Sequence, residues 1–144
     1  MLDLYEMSSQ EIKDLLQQVE YGHLGCACEG HPYVVPMKYY PTDSDIYLFT
    51  TEGLKTQCMD ANPEVCLQVE DVHDLQHWRS VIATGRVERL VEPQDIDRVM
   101  KLVQEHNPTL SPAMSRTWID AWGRANIRAI YRMQPNEMSG RKTA

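Results

Sequence analysis

Two hydroxyl groups and a cation lie where an apolar run of the sequence changes into a helical pattern. Thr50 and Thr51 end a run typical of a strand, and Gly53 and Lys55 open a pattern that predicts a short helix up to Ala61. The first amides of a helix lack intrahelical acceptors, and the helix dipole favours an anion there. Together with Lys55, these groups predict a phosphate site, called here the anion seat. The alternative is an N-cap threonine before an ordinary surface helix.

A second candidate segment begins another apolar run with strand alternation, Trp78-Arg79-Ser80-Val81. In a strand, Trp78 and Ser80 share one face, and Arg79 and Val81 share the other. A guanidinium and a hydroxyl at the start of a strand could bind a polar ligand edge. Alternatively, Arg79 covers the rim of the sheet and pairs with an acid such as Glu70.

The cysteines and histidines do not predict a metal site. The four cysteines are scattered, and Cys26 and Cys28 share one strand face without a second ligand pair at a fixed distance. His73 and His77 are four residues apart, but the residues between them are typical of a loop. We therefore predict no metal ion, and four reduced thiols in a cytoplasmic protein.

Two indoles, Trp118 and Trp122, are four residues apart on a predicted helix that begins at Ser111. Such a pair could cover a planar ring. A role in a core or a dimer interface is the more common one for buried tryptophan. The sequence leaves open whether either indole reaches a ligand.

Composition limits the class of protein. A chain of 144 residues is predicted to form one domain, residues 1–144. Its net charge of -7 argues against a nucleic-acid partner and against an anionic membrane surface. No stretch approaches the ~20 apolar residues of a spanning helix, and the first residues do not resemble a signal peptide.

The periodicities predict a mainly β protein with peripheral helices. An N-terminal helix over residues 8–21 follows a capping box at Ser8 and ends near Gly22, and another helix begins at Pro93. Residues 71–76 are predicted to be a polar loop, and residues 139–144 a loose tail. Pro36 marks an edge or a bulge of its strand, and Gly85 a bulge or bend. The six predicted strands, mostly joined by short turns, favour an antiparallel barrel (residues 23–28, 33–40, 46–50, 65–69, 78–91 and 127–133).

Together these segments resemble the pyridoxamine 5'-phosphate oxidase-like, FMN-binding split-barrel superfamily, in particular its small nitroimidazole-resistance-type branch. The resemblance runs from about Met7 to Lys142. It rests on the order and spacing of these pieces: Gly22-His23-Leu24-Gly25-Cys26, Pro32-Tyr33-Val34-Val35-Pro36-Met37, Ile46-Tyr47-Leu48-Phe49-Thr50-Thr51-Glu52-Gly53-Leu54-Lys55, Asn62-Pro63-Glu64-Val65-Cys66, Trp78-Arg79-Ser80-Val81-Ile82-Ala83-Thr84-Gly85 and Ser139-Gly140-Arg141-Lys142.

The resemblance implies a six-stranded antiparallel split β-barrel that forms a homodimer, with FMN in two equivalent clefts between the subunits. It implies that Thr50, Thr51 and Lys55 hold the FMN phosphate. Backbone of the strand containing Val35, Pro36, Met37 and Lys38 would line the flavin ring. The segment Trp78, Arg79, Ser80 and Val81 would also meet the flavin, often from the partner subunit.

Some motifs of the superfamily are missing. The true oxidases carry an Arg-x-His motif near the C-terminus that residues 136–142 lack, which argues against pyridoxamine phosphate as substrate. Leu54 stands where those oxidases have an Arg, and Phe49 lies near the position of a His in many nitroimidazole-resistance relatives.

We therefore expect an FMN-dependent oxidoreductase acting on a small organic substrate, with NAD(P)H as a possible electron donor. The alternative is a carrier of flavin, haem or deazaflavin without turnover. A structural or regulatory dimer with an empty cleft is a third hypothesis.

Overall fold

The computed structural model describes residues 2–106 and 127–144. These residues form seven strands and three helices. In chain order the elements are β1 (Leu4–Glu6), α1 (Ser9–Gln18), β2 (Tyr21–Cys28), β3 (His31–Pro41), β4 (Ile46–Thr51), α2 (Leu54–Ala61), β5 (Glu64–Asp74), β6 (His77–Arg89), α3 (Pro93–His106) and β7 (Ile127–Thr143). The helix predicted from Ser111 and the pair Trp118 and Trp122 lie outside the described residues.

Six of the strands close into a ring. The order is β7-β4-β3-β2-β5-β6, every neighbouring pair is antiparallel, and β6 pairs back onto β7. The predicted six-stranded antiparallel barrel with peripheral helices is confirmed. The short strand β1 was not predicted, because its three exposed residues are too few to show a period, and it pairs with the end of β7.

The inward faces of the strands and helix α1 form the main core. Alternation along β2, β5 and β6 sends every second residue inward, and α1 contributes Leu15, which is fully buried. Burial of such an aliphatic side chain stabilises the fold by roughly 1.5–3 kcal/mol. The inward residues of these four elements include Ile12, Leu15, Leu16, Leu24, Cys26, Val65, Leu67, Val69, Val81 and Ala83.

Helix α1 begins with the predicted capping box, in which the Ser8 hydroxyl accepts from the Glu11 amide and the Glu11 carboxylate accepts from the Ser8 amide. Its predicted end near Gly22 is wrong, because the backbone is already extended at Val19 and β2 begins at Tyr21. Gly22 lies in β2 instead, where a Cβ would be 2.5 Å from the carbonyl oxygen of Gln68. The glycine therefore permits a close approach of β5.

The ring parts between β3 and β4. These strands pair only from the rung Lys38–Phe49 to the rung Pro41–Ile46. Residues 31–37 of β3 pair with β2 alone among the described strands, whereas Thr50 and Thr51 of β4 continue along β7. Pro36 lies in this open-edge stretch, in agreement with the edge alternative. The gap between residues 31–37 and residues 50–51 is called the opening below.

Two loop predictions are wrong. Strand β5 continues to Asp74 and β6 starts at His77, so most of the predicted loop 71–76 is a strand ribbon with charged cross-strand neighbours. The predicted loose tail is also a strand, because β7 extends to Thr143 and pairs with both β6 and β1. Polar residues there reflect a solvent-facing strand. The register shift beside Gly85 confirms the predicted bulge.

None of the helices in the described parts of the chain is both long enough and apolar enough to cross a bilayer. The longest of them is α3, with 14 residues.

The ion pair between Glu11 and Lys142 fastens the end of β7 to α1. The Lys142 ammonium, with the Ser8 amide, lowers the pKa of Glu11 from 4.5 to about 2. A carboxylate with a lowered folded-state pKa stabilises the fold above its unfolded pKa. That contribution is lost as the pH falls from about 4.5 to about 2.

We therefore expect Lys142→Met to lower the midpoint of urea unfolding at pH 7 and to unfold like the wild type near pH 2. Lys13→Met, an exposed lysine on α1, is the control and should not change the midpoint. Equal midpoints for Lys142→Met and the wild type at pH 7 would contradict the assignment.

Candidate functional site

The strand-to-helix junction that carries the predicted anion seat is present, since β4 ends at Thr51 and α2 begins at Leu54. Thr50 is 2% exposed and its hydroxyl donates to the Thr51 carbonyl over 3.3 Å, while Thr51 and Lys55 are half-buried. Helix α2 begins at Leu54 after Gly53, whose backbone is extended. A Cβ on Gly53 would meet no atom within 4 Å. Space for a ligand is therefore present beside the first turn of α2.

No side chain occupies the N-cap position of α2. The cap residue is Gly53, so the alternative of an N-cap threonine is wrong. The first intrahelical bond runs from the Gln57 amide to the Gly53 carbonyl over 3.1 Å. The amides of Leu54, Lys55 and Thr56 precede that bond and remain directed towards the start of the helix.

Thr56 was not among the predicted site residues. Its buried hydroxyl oxygen accepts from the Gly53 amide over 3.0 Å. The same hydroxyl lies 3.0 Å from the Glu52 carboxylate and 2.9 Å from the Gly53 carbonyl, and it can donate to one of them at a time. It therefore fixes the bend that leads into α2. A hydroxyl three residues after a glycine cap was the available sequence signal.

The Lys55 ammonium pairs with no acid within residues 2–106 and 127–144. The other charged group of this loop, Glu52, is held by Arg89 of β6. A positive charge at Lys55 and uncompensated amides at the start of α2 thus lie together. This arrangement can bind an anion, and a phosphate is the common biological one.

A polar network supports α2, and its members come from α2, β6, β7 and the loop between β4 and α2. The Arg89 guanidinium pairs with Glu52 and also with Asp60 over 3.2 Å. It lies over the Tyr131 ring at 5.8 Å from the centroid, and the Tyr131 hydroxyl donates to Asp60 over 2.7 Å. Pairing with Glu52 raises the pKa of Arg89. Sequence reasoning missed this network because its members are 8 to 79 positions apart and follow no common period.

A disulfide fastens the other side of α2. Cys28 of β2 is bonded to Cys58 of α2, whereas Cys26 and Cys66 are free thiols. The prediction of four reduced thiols is therefore wrong. Scattered cysteines gave no signal, because the closeness of β2 to α2 arises only when the barrel forms. The Asn62 side chain also donates to the Ala27 carbonyl over 3.2 Å.

The predicted ring-lining strand borders the opening on its other side. Val35 is half-buried and packs against the core, and Pro36 is exposed. Both belong to the stretch of β3 that has no pairing on the β4 side among the described strands. The side chain of Met37 is 1% exposed and packs in the core, which leaves only its backbone for a ligand. Lys38 is mostly buried, and its ammonium pairs with Glu20 over 3.0 Å.

The segment Trp78–Val81 lies in β6, which two strands, β2 and β5, separate from β3. The guanidinium of Arg79 pairs with Asp71 over 2.6 Å and donates to Gln18 over 2.8 Å. The hydrogen bond from Arg79 lowers the pKa of Asp71. The alternative interpretation of Arg79 was an ion pair with an acid such as Glu70. The structure shows an ion pair, and its acid is Asp71.

The other members of that segment differ in exposure. The side chain of Val81 is fully buried, Trp78 is half-buried, and Ser80 accepts from Gln68 over 3.1 Å on the outside of the barrel. Within one chain, the structure brings Thr50, Thr51 and Lys55 together and does not add this segment to them.

An antiparallel ring that parts at one place, with a helix start beside the gap, defines a split-barrel protein. The chain belongs to the pyridoxamine 5'-phosphate oxidase family, whose profile matches residues 8–142. An uncharacterized protein of Rhizobium meliloti (strain 1021) is 32% identical over 88 residues, which are 61% of this chain and 58% of that relative. The match thus spans less than two thirds of the relative's length.

Solved structures share the whole fold. A FAD-binding protein from Mesorhizobium loti is 29% identical, with a TM-score of 0.79, covering 100% of this chain and 99% of that one. A protein described as a candidate 5-nitroimidazole antibiotic resistance protein, from Bacteroides thetaiotaomicron, is 20% identical, with a TM-score of 0.75, covering 98% of this chain and 89% of that one. The second likeness shows the fold alone.

Removal of the Cys28–Cys58 disulfide tests how firmly α2 is attached. The two cysteines are separated by 30 positions, so the closed loop restricts the unfolded chain appreciably. We expect the Cys28→Ser, Cys58→Ser double variant to lose about 3–4 kcal/mol of unfolding free energy.

A dithiol reductant should lower the stability of the wild type and leave the double variant unchanged. Cys66→Ser, which removes a free thiol, should behave like the wild type. A wild type that is insensitive to the reductant would contradict the bond.

Proposed function

We propose that this protein binds FMN and uses it as an oxidoreductase acting on a small organic substrate. The observation that carries the proposal is the anion seat beside the opening, where Lys55 has no acid partner among the described residues. Family membership and the likeness to a FAD-binding protein support a flavin as the ligand.

The residues of the seat fit a phosphate monoester. Thr51 offers a half-buried hydroxyl group, Lys55 offers a cation, and the first amides of α2 offer donors in a region of positive dipole. The buried Thr50 hydroxyl donates to the Thr51 carbonyl and so supports the turn that presents these groups. Gly53 leaves room for close approach, since nothing lies within 4 Å of its Cβ position. Charged hydrogen bonds contribute roughly 1.5–3 kcal/mol each, so this set accounts for several kcal/mol of affinity.

The other side of the opening would hold the flavin ring. Backbone groups of residues 31–37 have no strand partner on the β4 side among the described strands, and Val35 and Pro36 lie at that edge. A bound flavin supplies the redox chemistry, and the chain's own groups bind and orient it. Lys38 and Arg79 could each supply positive charge near the ring, and each is partly neutralised by an ion pair.

The outside of the sheet favours a homodimer that completes the flavin site. The outward face of β2, β3, β5 and β6, called the outer face, carries Val34 at 66% and Ile82 at 47% exposure. Four cross-strand neighbours form one row across that face, in the order Pro36, His23, Gln68 and Ile82. Ser80 shares the face, so a twofold contact would bring it towards the partner's β3 edge.

Release of the cofactor tests the binding function directly. Purified protein should absorb near the flavin bands of the visible spectrum, and denaturation should release FMN that chromatography separates from FAD and riboflavin. A colourless protein that FMN cannot reconstitute would overturn the proposal. Release of FAD alone would show that the cofactor is the dinucleotide FAD and not FMN.

Turnover separates an enzyme from a carrier. Steady oxidation of NADH or NADPH with nitroaromatic, quinone or flavin acceptors supports the oxidoreductase. A bound flavin that none of these pairs can cycle would make the protein a carrier.

Lys55→Ala should weaken FMN binding at least tenfold, because the seat loses its one unpaired cation among the described residues. Affinity for riboflavin, which lacks the phosphate, should stay within threefold, and the thermal midpoint should not change. Lys101→Ala on the exposed side of α3 is the matched control. Unchanged FMN affinity in Lys55→Ala would show that the phosphate binds elsewhere.

Ile82→Asp should convert the proposed dimer into monomers, because it places a charge on the exposed apolar part of the outer face. Sedimentation equilibrium measures the mass. Leu75→Asp is the control, since Leu75 is 88% exposed at the β5–β6 turn. A wild type that sediments as a monomer with FMN bound would overturn the dimer and leave the binding function standing.

A further inference from the structure

The carboxylate of Glu52 borders the anion seat and has the wrong sign for it. Glu52 stands between Thr51 and Gly53, and its carboxylate is 3.0 Å from the Thr56 hydroxyl in the first turn of α2. A carboxylate at the start of a helix is itself stabilised there, so it competes with a phosphate for the same amides. It also repels a phosphate dianion, since like charges close together are unfavourable.

Arg89 is placed to remove both effects. One nitrogen of its guanidinium pairs with Glu52, and the other pairs with Asp60 at the opposite end of α2. Asp60 is in turn held by the Tyr131 hydroxyl, and the guanidinium lies over the ring of this 1% exposed tyrosine. The side chain of Arg89 is only 29% exposed. Its position is therefore fixed by three groups before any ligand arrives.

We propose that Arg89 is a positioning residue for phosphate recognition, which holds the Glu52 carboxylate away from the α2 amides and neutralises its charge. This inference rests on the proposed binding of FMN at the seat. Arg89 does not need to touch the phosphate. Its contribution is to keep Glu52 from acting as an internal competitor.

The test compares affinities for FMN and for riboflavin, because only FMN carries the phosphate. Arg89→Ala should weaken FMN binding at least tenfold and change riboflavin binding less than threefold. Adding Glu52→Gln to Arg89→Ala should restore FMN affinity to within threefold of the wild type, because the competing charge is gone. Arg89→Lys, which keeps the charge, should fall between the wild type and Arg89→Ala.

Two controls separate this role from a structural one. Arg86→Ala removes an ion pair with Glu64 from the same strand and should leave FMN affinity unchanged. If Arg89 only braces α2, Glu52→Gln will not rescue Arg89→Ala, and that result would overturn the proposal. A tenfold loss of FMN affinity in Glu52→Gln alone would also overturn it, because Glu52 would then support binding.

The wild type decides which proposal has failed. A wild type that binds neither FMN nor riboflavin refutes the flavin function. A wild type that binds FMN tightly, with Arg89→Ala equally tight, refutes the positioning role alone.

Discussion

The pairing of β3 with β4 stops at the rung that joins Lys38 to Phe49, and the arrangement of the site follows from that stop. Beyond it, β3 keeps only β2 as a neighbour among the described strands, and β4 turns along β7 towards α2. An unpaired strand edge must find hydrogen-bond partners in water, in a ligand or in another chain. The same divergence leaves Thr50 and Thr51 beside the opening, and the start of α2 follows them directly in the chain.

Helix α2 is short, and an isolated helix of eight residues is unstable in water. Its position depends on attachments from outside: the Cys28–Cys58 disulfide on one side and the Arg89 network on the other. Groups fixed before a ligand arrives lose little entropy on binding, which is how a few polar residues can hold a phosphate firmly. The start of α2 has no side-chain cap, so its first amides are not used by a capping side chain.

The barrel and the junction of β4 with α2 were predictable from sequence because their signals are local. Alternation along Val65, Leu67 and Val69 and the change of period after Thr51 each lie within about ten residues. The Cys28–Cys58 bond and the contact of Arg89 with Glu52 were not predictable, because each joins elements that meet only after the ring has closed. The tail was misjudged for a related reason: polar residues such as Arg141 are compatible with a loop or with a solvent-facing strand, and only pairing partners decide.

Strand β7 has a further consequence, because among the described strands it alone joins β4 to β6. Ring closure therefore brings Arg79 next to Lys142, and the added strand β1 brings Leu4 next to Thr143. Both contacts join distant parts of the sequence. Folds dominated by such contacts form slowly. During synthesis, β4 and β6 each have an unpaired edge until β7 has emerged from the ribosomal exit tunnel. Unpaired strand edges promote association between nascent chains. Biosynthesis is thus the stage at which this architecture is most exposed to aggregation.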